Sequence, residues 1–225
     1  VGSHPPHAAG IALAMKLRRQ KRAAVSIFGD GATSKGDVAE ALNFAGVWTL
    51  PAVFVVSNNR WAISIPVARQ TAAQTLAQKA IAAGIAGEQV DGNDAVAVRM
   101  VVARALEKAR GGGGPTLVEA LTYRLGDHTT SDDASRYRDD AEVSRHWPEE
   151  PVARLRAHLV ARGAWTAGDE DALLRDCASE VDAAAAEYLA TPAQDPDTMF
   201  AFTYEKPPRD LEDQRRAARS PEEPQ

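Results

Sequence analysis

A single cysteine, Cys177, stands in 225 residues. One thiol excludes an internal disulfide and fits a reducing cytoplasm. On a helical stretch it reads as a small core hydrophobe rather than a nucleophile. No apolar run approaches the roughly 20 residues of a membrane-spanning helix, and no signal peptide is visible. Positive charge is not in excess. The net charge of −5 leaves no electrostatic case for a nucleic-acid or membrane partner. No G-x-G-x-x-G follows the first strand-like run, which argues against a Rossmann nucleotide site. Gly111–Gly114 has no Lys-Ser/Thr after it, so it is a flexible connector and not a phosphate loop. No internal repeat is present. The chain as a whole is 44% apolar and 25% charged, the balance of a globular protein, and the length suits one large domain with a tail.

Against that background one array stands out: VSIFGDGATSKGDVAEALNFAGVWTLPAVFVVSNNRWAIS. Ala23–Phe28 is a short apolar run ending at Gly29-Asp30-Gly31 and reads as a buried strand. The glycines permit a tight turn and close approach of backbone to a ligand. Thr33 and Ser34 are N-cap candidates, and Asp37 adds negative charge to the first helical turn. The helix runs to about Trp48, with Val38, Ala41, Leu42, Ala45 and Gly46 on its buried face. Pro51 follows, and Ala52–Ser57 is a second buried strand ending at Asn58-Asn59. This is a βαβ unit, and ligands bind such units at the carboxyl ends of the strands.

An acid at one strand end and an amide at the next can hold a divalent cation and a diphosphate. Mg²⁺ demands near-octahedral oxygen ligands and often takes some from phosphates. Asp30 would supply a carboxylate oxygen, Asn59 an amide oxygen, and Trp61 a backbone carbonyl. Two diphosphate oxygens and a water would complete the shell. Gly31 and Ala32 would offer backbone N–H groups to the diphosphate. The bland alternative makes Gly-Asp-Gly one turn and Asn-Asn another. The full spacing in a strand–helix–strand context favours the ligand site.

GDGATSKGD and NNRWAIS resemble the alpha subunits of thiamine-diphosphate-dependent 2-oxo acid dehydrogenases, the decarboxylating components of the pyruvate and branched-chain complexes. The resemblance extends to VGSHPPHAAGIALAMKLR, to TLAQKAIAAGIAGEQVDGNDAVAV and to GPTLVEALTYRLGDHTTSDDASRYR. It implies an α/β thiamine-diphosphate-binding fold, a parallel sheet with flanking helices and a helical C-terminal extension. It implies that Asp30, Asn59 and the Trp61 carbonyl bind Mg²⁺, that Gly31 and Ala32 contact the diphosphate, and that Val1 lines the cofactor. His128 falls on the active-site histidine of a loop over the cofactor channel. Thr129 occupies the place of a regulatory phosphoserine in mitochondrial relatives. The family's upstream Tyr-Arg pair has no counterpart here. The chain opens with Val inside a family motif, so a truncated or incompletely reported polypeptide is expected.

The implied reaction is oxidative decarboxylation of a 2-oxo acid with acyl transfer to a lipoyl group on an acyltransferase component. The carboxylate needed at the cofactor's aminopyrimidine lies, in the family, on a separate beta subunit. An α2β2 assembly, inactive as the alpha chain alone, is therefore implied. TLAQKAIAAGI favours the pyruvate type over the branched-chain and acetoin types. A catalytically silent assembly subunit is the alternative from another class.

The rest of the chain is read from pattern. His4-Pro5-Pro6-His7 precedes an Ala-rich helix over Ala8–Arg19; the two histidines lack further metal-ligand types nearby. Thr71–Ala83 is helical by pattern. Asp94 caps a helix over Ala95–Arg110, and Thr116–Tyr123 is strand-like. Arg124–Arg138 is a polar surface loop braced by Arg124, Asp132, Asp133, Tyr137 and Arg138; on it His128 could also be a plain loop histidine. The expected division is a cofactor domain over 1–147, a helical region over 148–206 and a charged tail over 207–225. Within the helical region Thr166 caps a long helix over Asp169–Thr191, Pro192–Pro196 is a linker, and Met199 to Tyr204 is an apolar segment that docks on a partner. The end of the tail is expected to be disordered.

Overall fold

The structure, a computed structural model, describes residues 1–219. The disorder expected at the end of the tail lies outside the described residues. The described residues form two compact units, Val1–Ala164 and residues 165–219.

In the first unit the apolar runs become a four-stranded parallel sheet. β1 (Ala24–Gly29), β2 (Ala52–Asn58), β5 (Ala86–Asp91) and β6 (Thr116–Leu121) lie in the order β1-β2-β6-β5. β3 (Trp61–Ala62) and β4 (Ile65–Pro66) form a small antiparallel ribbon. β2 sits inside the sheet and is buried almost throughout, as a parallel strand covered on both faces must be. β1 is an edge strand, and the expectation that it is buried on both faces fails. Its burial alternates, and Val25 and Ile27 are exposed.

Alternate side chains of β2 feed two cores. Phe54 and Val56 pack with α1 (His4–Leu17) and α2 (Gly36–Val47) through Ala9, Ala12, Val38, Leu42 and Ala45. Val53 and Val55 pack with α4 (Ala95–Arg110) through Val101, Ala105 and Ala109. The alanines let the helices approach closely. Burying a side chain the size of Phe54 contributes about 1.5–3 kcal/mol.

Several local expectations are corrected. α1 begins at His4, because prolines in the first turn lose no intrahelical N–H bond there. Thr33 and Ser34 do not cap α2. Residues Asp30–Ser34 form an extra 3₁₀ turn, Thr33 Oγ1 donates to the Asp30 carbonyl (2.7 Å), and Lys35 takes the cap position. Thr71–Ala83 is not one helix. Only a 3₁₀ turn over Leu76–Gln78 and a one-turn α3 (Lys79–Ala82) form, started by a capping box between Thr75 and Gln78. Asp94 does cap α4, its Oδ1 accepting from Val96 N (2.9 Å) and Ala97 N (3.0 Å). α5 (Asp140–His146) and α6 (Pro151–Ala161) close this unit.

The second unit is helical: α7 (Ala167–Ala190), α8 (Thr198–Ala201) and α9 (Arg209–Arg219). α7 starts two residues earlier than Asp169, with Thr166 and Asp169 forming a capping box. None of its helices has a buried residue among the described residues. Cys177 is exposed rather than a core hydrophobe, because the helix that carries it buries no face within the unit. No described helix is long and apolar enough to cross a membrane.

Candidate active site at the carboxyl edge of the sheet

Because the four strands are parallel, the residues after β1, β2 and β6 all emerge at one sheet edge. Asp30 follows β1, Asn59 follows β2, and the loop carrying His128 follows β6. Strand register therefore starts three separate segments from one sheet edge.

Asp30 is 1% exposed. Gln70 Nε2 donates to its Oδ2 (2.7 Å) and also to the Ile65 carbonyl (3.1 Å). Gly31 shows how close the second segment comes. A Cβ at Gly31 would stand 2.7 Å from Ala62 Cβ, so only glycine fits against the residue after Trp61. Asp30-Gly31 and Trp61-Ala62 thus share one corner.

The turn between Asn59 and Trp61 is tightly specified. Asn59 Oδ1 accepts from Trp61 N (3.1 Å), and Asn58 Oδ1 accepts from Arg60 N (3.0 Å). Arg60 (φ 71) and Ile63 (φ 55) both occupy the left-handed region. For a β-branched residue that conformation is strained, and it persists only where surrounding structure imposes it. Here Arg124 supplies part of that structure. Its guanidinium donates to the carbonyls of Trp61 (3.3 Å) and Ile63 (2.9 Å).

The third segment is held by its own bonds. Asp132 Oδ2 accepts from the His128 backbone N (2.9 Å) and from the Tyr137 hydroxyl, which in turn accepts from Arg124 Nη2 (2.8 Å). The Tyr137 hydroxyl first, then the His128 N–H, holds the Asp132 carboxyl below the usual range. Burial first, then the bond to Asp132, pushes the Tyr137 phenol up. Buried Arg138 donates to the Arg124 carbonyl and to the carbonyls of Leu125 (3.2 Å) and Gly126 (3.1 Å). Asp133 plays a smaller part, capping the short turn after it by accepting from Ser135 N (3.2 Å). His128 itself is exposed.

The fold gathers the segments of Asp30, Gly31, Ala32 and Trp61 at one corner. Val1 is 95% exposed, but its neighbour Gly2 (φ 85) lies against Lys35, with the Ala32 carbonyl 3.8 Å from a built Cβ. The N-terminus therefore abuts the candidate diphosphate turn.

A divalent cation with diphosphate needs hard oxygens. Asp30 contributes a carboxylate beside the Trp61 turn. Gln70 Oε1 is a buried acceptor with no hydrogen-bond partner among the described residues. An orphaned buried oxygen next to a carboxylate suits an arriving positive charge. The donor set fits the group. Clefts lie elsewhere, one of about 560 Å³ lined by Pro6, Ala9, Asp37, Phe44 and Trp48. Donor chemistry, not cleft size, marks the site.

Two residues here escape sequence reasoning. Gln70 belongs to no motif, and only the fold brings it to Asp30. Glu119 lies on β6 and is 1% exposed, where it accepts from Asn58 Nδ2 (2.7 Å). A lone acid inside the apolar run TLVEAL is the signal that could have found it.

The dehydrogenase E1 component family model matches residues 1–197. The chain is 44% identical over 216 residues to the pyruvate dehydrogenase E1 component subunit alpha of Bacillus subtilis (strain 168), covering 95% of this chain and 58% of that relative. It is 52% identical over 166 residues to the 3-methyl-2-oxobutanoate dehydrogenase subunit alpha of Mycobacterium tuberculosis (strain ATCC 25618 / H37Rv), covering 74% of this chain and 45% of that relative. The matching protein of Staphylococcus aureus (strain Mu50 / ATCC 700699), a pyruvate dehydrogenase E1 component subunit alpha, is 41% identical over 215 residues. The chain spans about half the length of these relatives, 58% in the first case and 45% in the second. With the family model matching most of its length and a parallel sheet in the matched region, the chain belongs to the dehydrogenase E1 component family.

Proposed function

We propose that this chain is part of the alpha subunit of a 2-oxo acid dehydrogenase, acting on pyruvate with thiamine diphosphate and Mg²⁺. The observation that carries the reading is the contact of Gly31 with Ala62, which brings the Asp30 and Asn59–Trp61 segments to one corner. The names of the two pyruvate dehydrogenase relatives support the substrate. The higher local identity to the 3-methyl-2-oxobutanoate enzyme supports a second reading, a branched-chain substrate.

When bound, thiamine diphosphate supplies an electron sink for loss of carbon dioxide. The chain's own residues hold and orient. Asp30, the Asn59 amide oxygen and the Trp61 carbonyl hold Mg²⁺. Backbone N–H groups of Gly31 and Ala32 face the diphosphate at the start of the 3₁₀ turn. Val1 lines the cofactor. His128, on the loop after β6, moves a proton at the reacting centre and guides transfer of the acyl unit. Residues 1–147 form the cofactor domain; 148–206 are a helical region and 207–225 a charged tail. The aminopyrimidine carboxylate comes from a beta subunit, giving an α2β2 cytoplasmic component that passes its acyl group to a lipoyl acyltransferase.

Titration calorimetry of thiamine diphosphate with Mg²⁺, on the full-length alpha chain co-expressed with its beta chain, tests this. Asp30→Ala is expected to weaken binding at least about 100-fold, as loss of a charged ligand should. Undiminished affinity in that variant would refute the ligand assignment. Decarboxylation of pyruvate against 3-methyl-2-oxobutanoate by the same preparation decides the substrate, and a faster reaction with the latter would replace the first reading by the second.

A further inference from the structure

Glu119 is the most deeply buried acid of the sheet interior, and neither the cofactor site nor the loop accounts for it. Its register partners are Val56 on β2 and Gln89 on β5. Oε1 accepts from Asn58 Nδ2 (2.7 Å); Oε2 accepts from Ala77 N (2.9 Å) and Gln89 Nε2 (3.0 Å). A carboxylate buried this far is tolerated only with such donors. Three donors on three elements hold this carboxylate in place.

The consequence runs through Asn58, which is 5% exposed. Its amide is used at both ends. Nδ2 is held by Glu119, which fixes the orientation of the amide plane, and Oδ1 is thereby aimed at Arg60 N (3.0 Å). That bond clamps Arg60 in its left-handed conformation, φ 71. The residues on either side of Arg60 are Asn59 and Trp61. Asn59 Oδ1 already accepts from Trp61 N, and an amide oxygen has a second lone pair for a cation.

We infer that Glu119 is a positioning residue for the cation site: acting through Asn58, it sets the turn that presents the Asn59 side chain and the Trp61 carbonyl. This rests on the reading of those two oxygens as cation ligands. Outer partners of this kind orient ligands and typically change metal affinity by about 10–100-fold when altered. The bonds also predict a swap. An amide at 119 and a carboxylate at 58 retain every hydrogen bond with the polarity of one reversed. The amide nitrogen at 119 donates to the carboxylate at 58. Its oxygen still accepts from Ala77 and Gln89, and the other oxygen at 58 still accepts from Arg60 N.

The test uses the full-length alpha chain co-expressed with its beta chain, and reads the Mg²⁺ concentration that half-saturates thiamine diphosphate binding. The thermal midpoint without metal is measured alongside. E119Q and N58D each should raise the half-saturating Mg²⁺ at least about tenfold. The double variant E119Q/N58D should return it to within about threefold of wild type, a rescue that general destabilisation would not give. Single variants that fold and keep the wild-type Mg²⁺ requirement overturn the inference, as does a folded double variant that shows no recovery. Should either single variant fail to fold, N58A carries the test, because it leaves Glu119 bonded to Ala77 and Gln89. An unchanged Mg²⁺ requirement in N58A overturns the inference, and a tenfold rise supports it. Binding by wild type that needs no Mg²⁺, or binding unaffected by Asp30→Ala, identifies the cation reading itself as the failure.

Discussion

Asp30 and His128 both follow strands of one parallel sheet, yet Asp30 is 1% exposed while His128 lies in an exposed run from Gly126 to Ser131. The corner around Asp30 is fixed by what surrounds it: β2 behind, Ala62 against Gly31, and the Gln70 amide on the Asp30 carboxylate. The loop around His128 is fixed by polar groups of its own, Asp127, Asp132, Tyr137 and Arg138. A cation site must be preorganised, because hard ligands tolerate little error. An exposed loop that packs against little else draws its order from local polar bonds of this kind.

The largest expected effect separates the two regions by function. His128→Ala should lower acyl transfer to a lipoyl acceptor by about 10²–10⁴, the range of a lost acid–base group. Cofactor affinity should stay within about twofold, since the corner does not depend on this side chain. Steady-state kinetics beside cofactor titration checks both halves. Full activity with the lipoyl acceptor would remove His128 from the mechanism, and lost cofactor binding would merge the two regions into one.

A comparable change strikes the corner through the core. Phe54 is fully buried on β2, four residues before Asn58. Phe54→Ala should cost about 3–5 kcal/mol of stability, read by denaturant unfolding. In the fraction that remains folded, the protease sensitivity of the loop should be unchanged. Nicking within 124–138 that rises in step with the loss of stability would show that the loop has no independent order.

How far the sequence exposes each region follows from the same contrast. β2 was legible because a strand buried on both faces is apolar throughout, and Asp94 was legible because a cap needs only its own helix. The strand, helix and strand that separate Asp30 from Asn59 were legible in the spacing of those residues. Gln70 and Glu119 were not, because each acts on a residue brought near only by folding, 40 positions away for Gln70 and Asp30, 61 for Glu119 and Asn58. β1 misled in part, since an edge strand with Val25 and Ile27 exposed carries the same residue types as a buried one. Thr71–Ala83 misled more, because its helical pattern is broken by turns that fit it under β5 and β6. The bracing set of the loop was readable as a group, while its pairings needed the structure.

A smaller effect isolates the bracing. Tyr137→Phe removes the hydroxyl that joins Arg124 to Asp132. A net loss of about 1 kcal/mol is expected for such a bond, which corresponds to roughly fivefold faster proteolysis if nicking tracks the opened loop. Cofactor affinity should not change, because Arg124 keeps its bonds to the Trp61 and Ile63 carbonyls. Weakened cofactor binding in this variant would mean that the loop helps shape the corner.

The mildest perturbation is pH, and its sign can be worked out from two groups. The Asp132 carboxyl is held below its ordinary range, chiefly by the Tyr137 hydroxyl and then by the His128 N–H. A group depressed in the folded state stabilises above its unfolded pKa, about 3.9 for Asp, and that stabilisation is lost as pH falls through the folded value. The Tyr137 phenol is raised, first by burial and then by Asp132. Its stabilisation is complete below its unfolded pKa, about 10, and is lost as pH rises through the folded value. Loop order should therefore be flat from roughly pH 5 to 9 and fall at both ends. Protection of the His128 amide from hydrogen exchange, corrected for intrinsic rates, reports it directly, because that amide donates to Asp132. Asp132→Asn should flatten the acid limb, since an amide oxygen accepts the same bond without titrating. Protection that already declines between pH 5 and 8 would overturn the assignment of loop order to Asp132 and Tyr137.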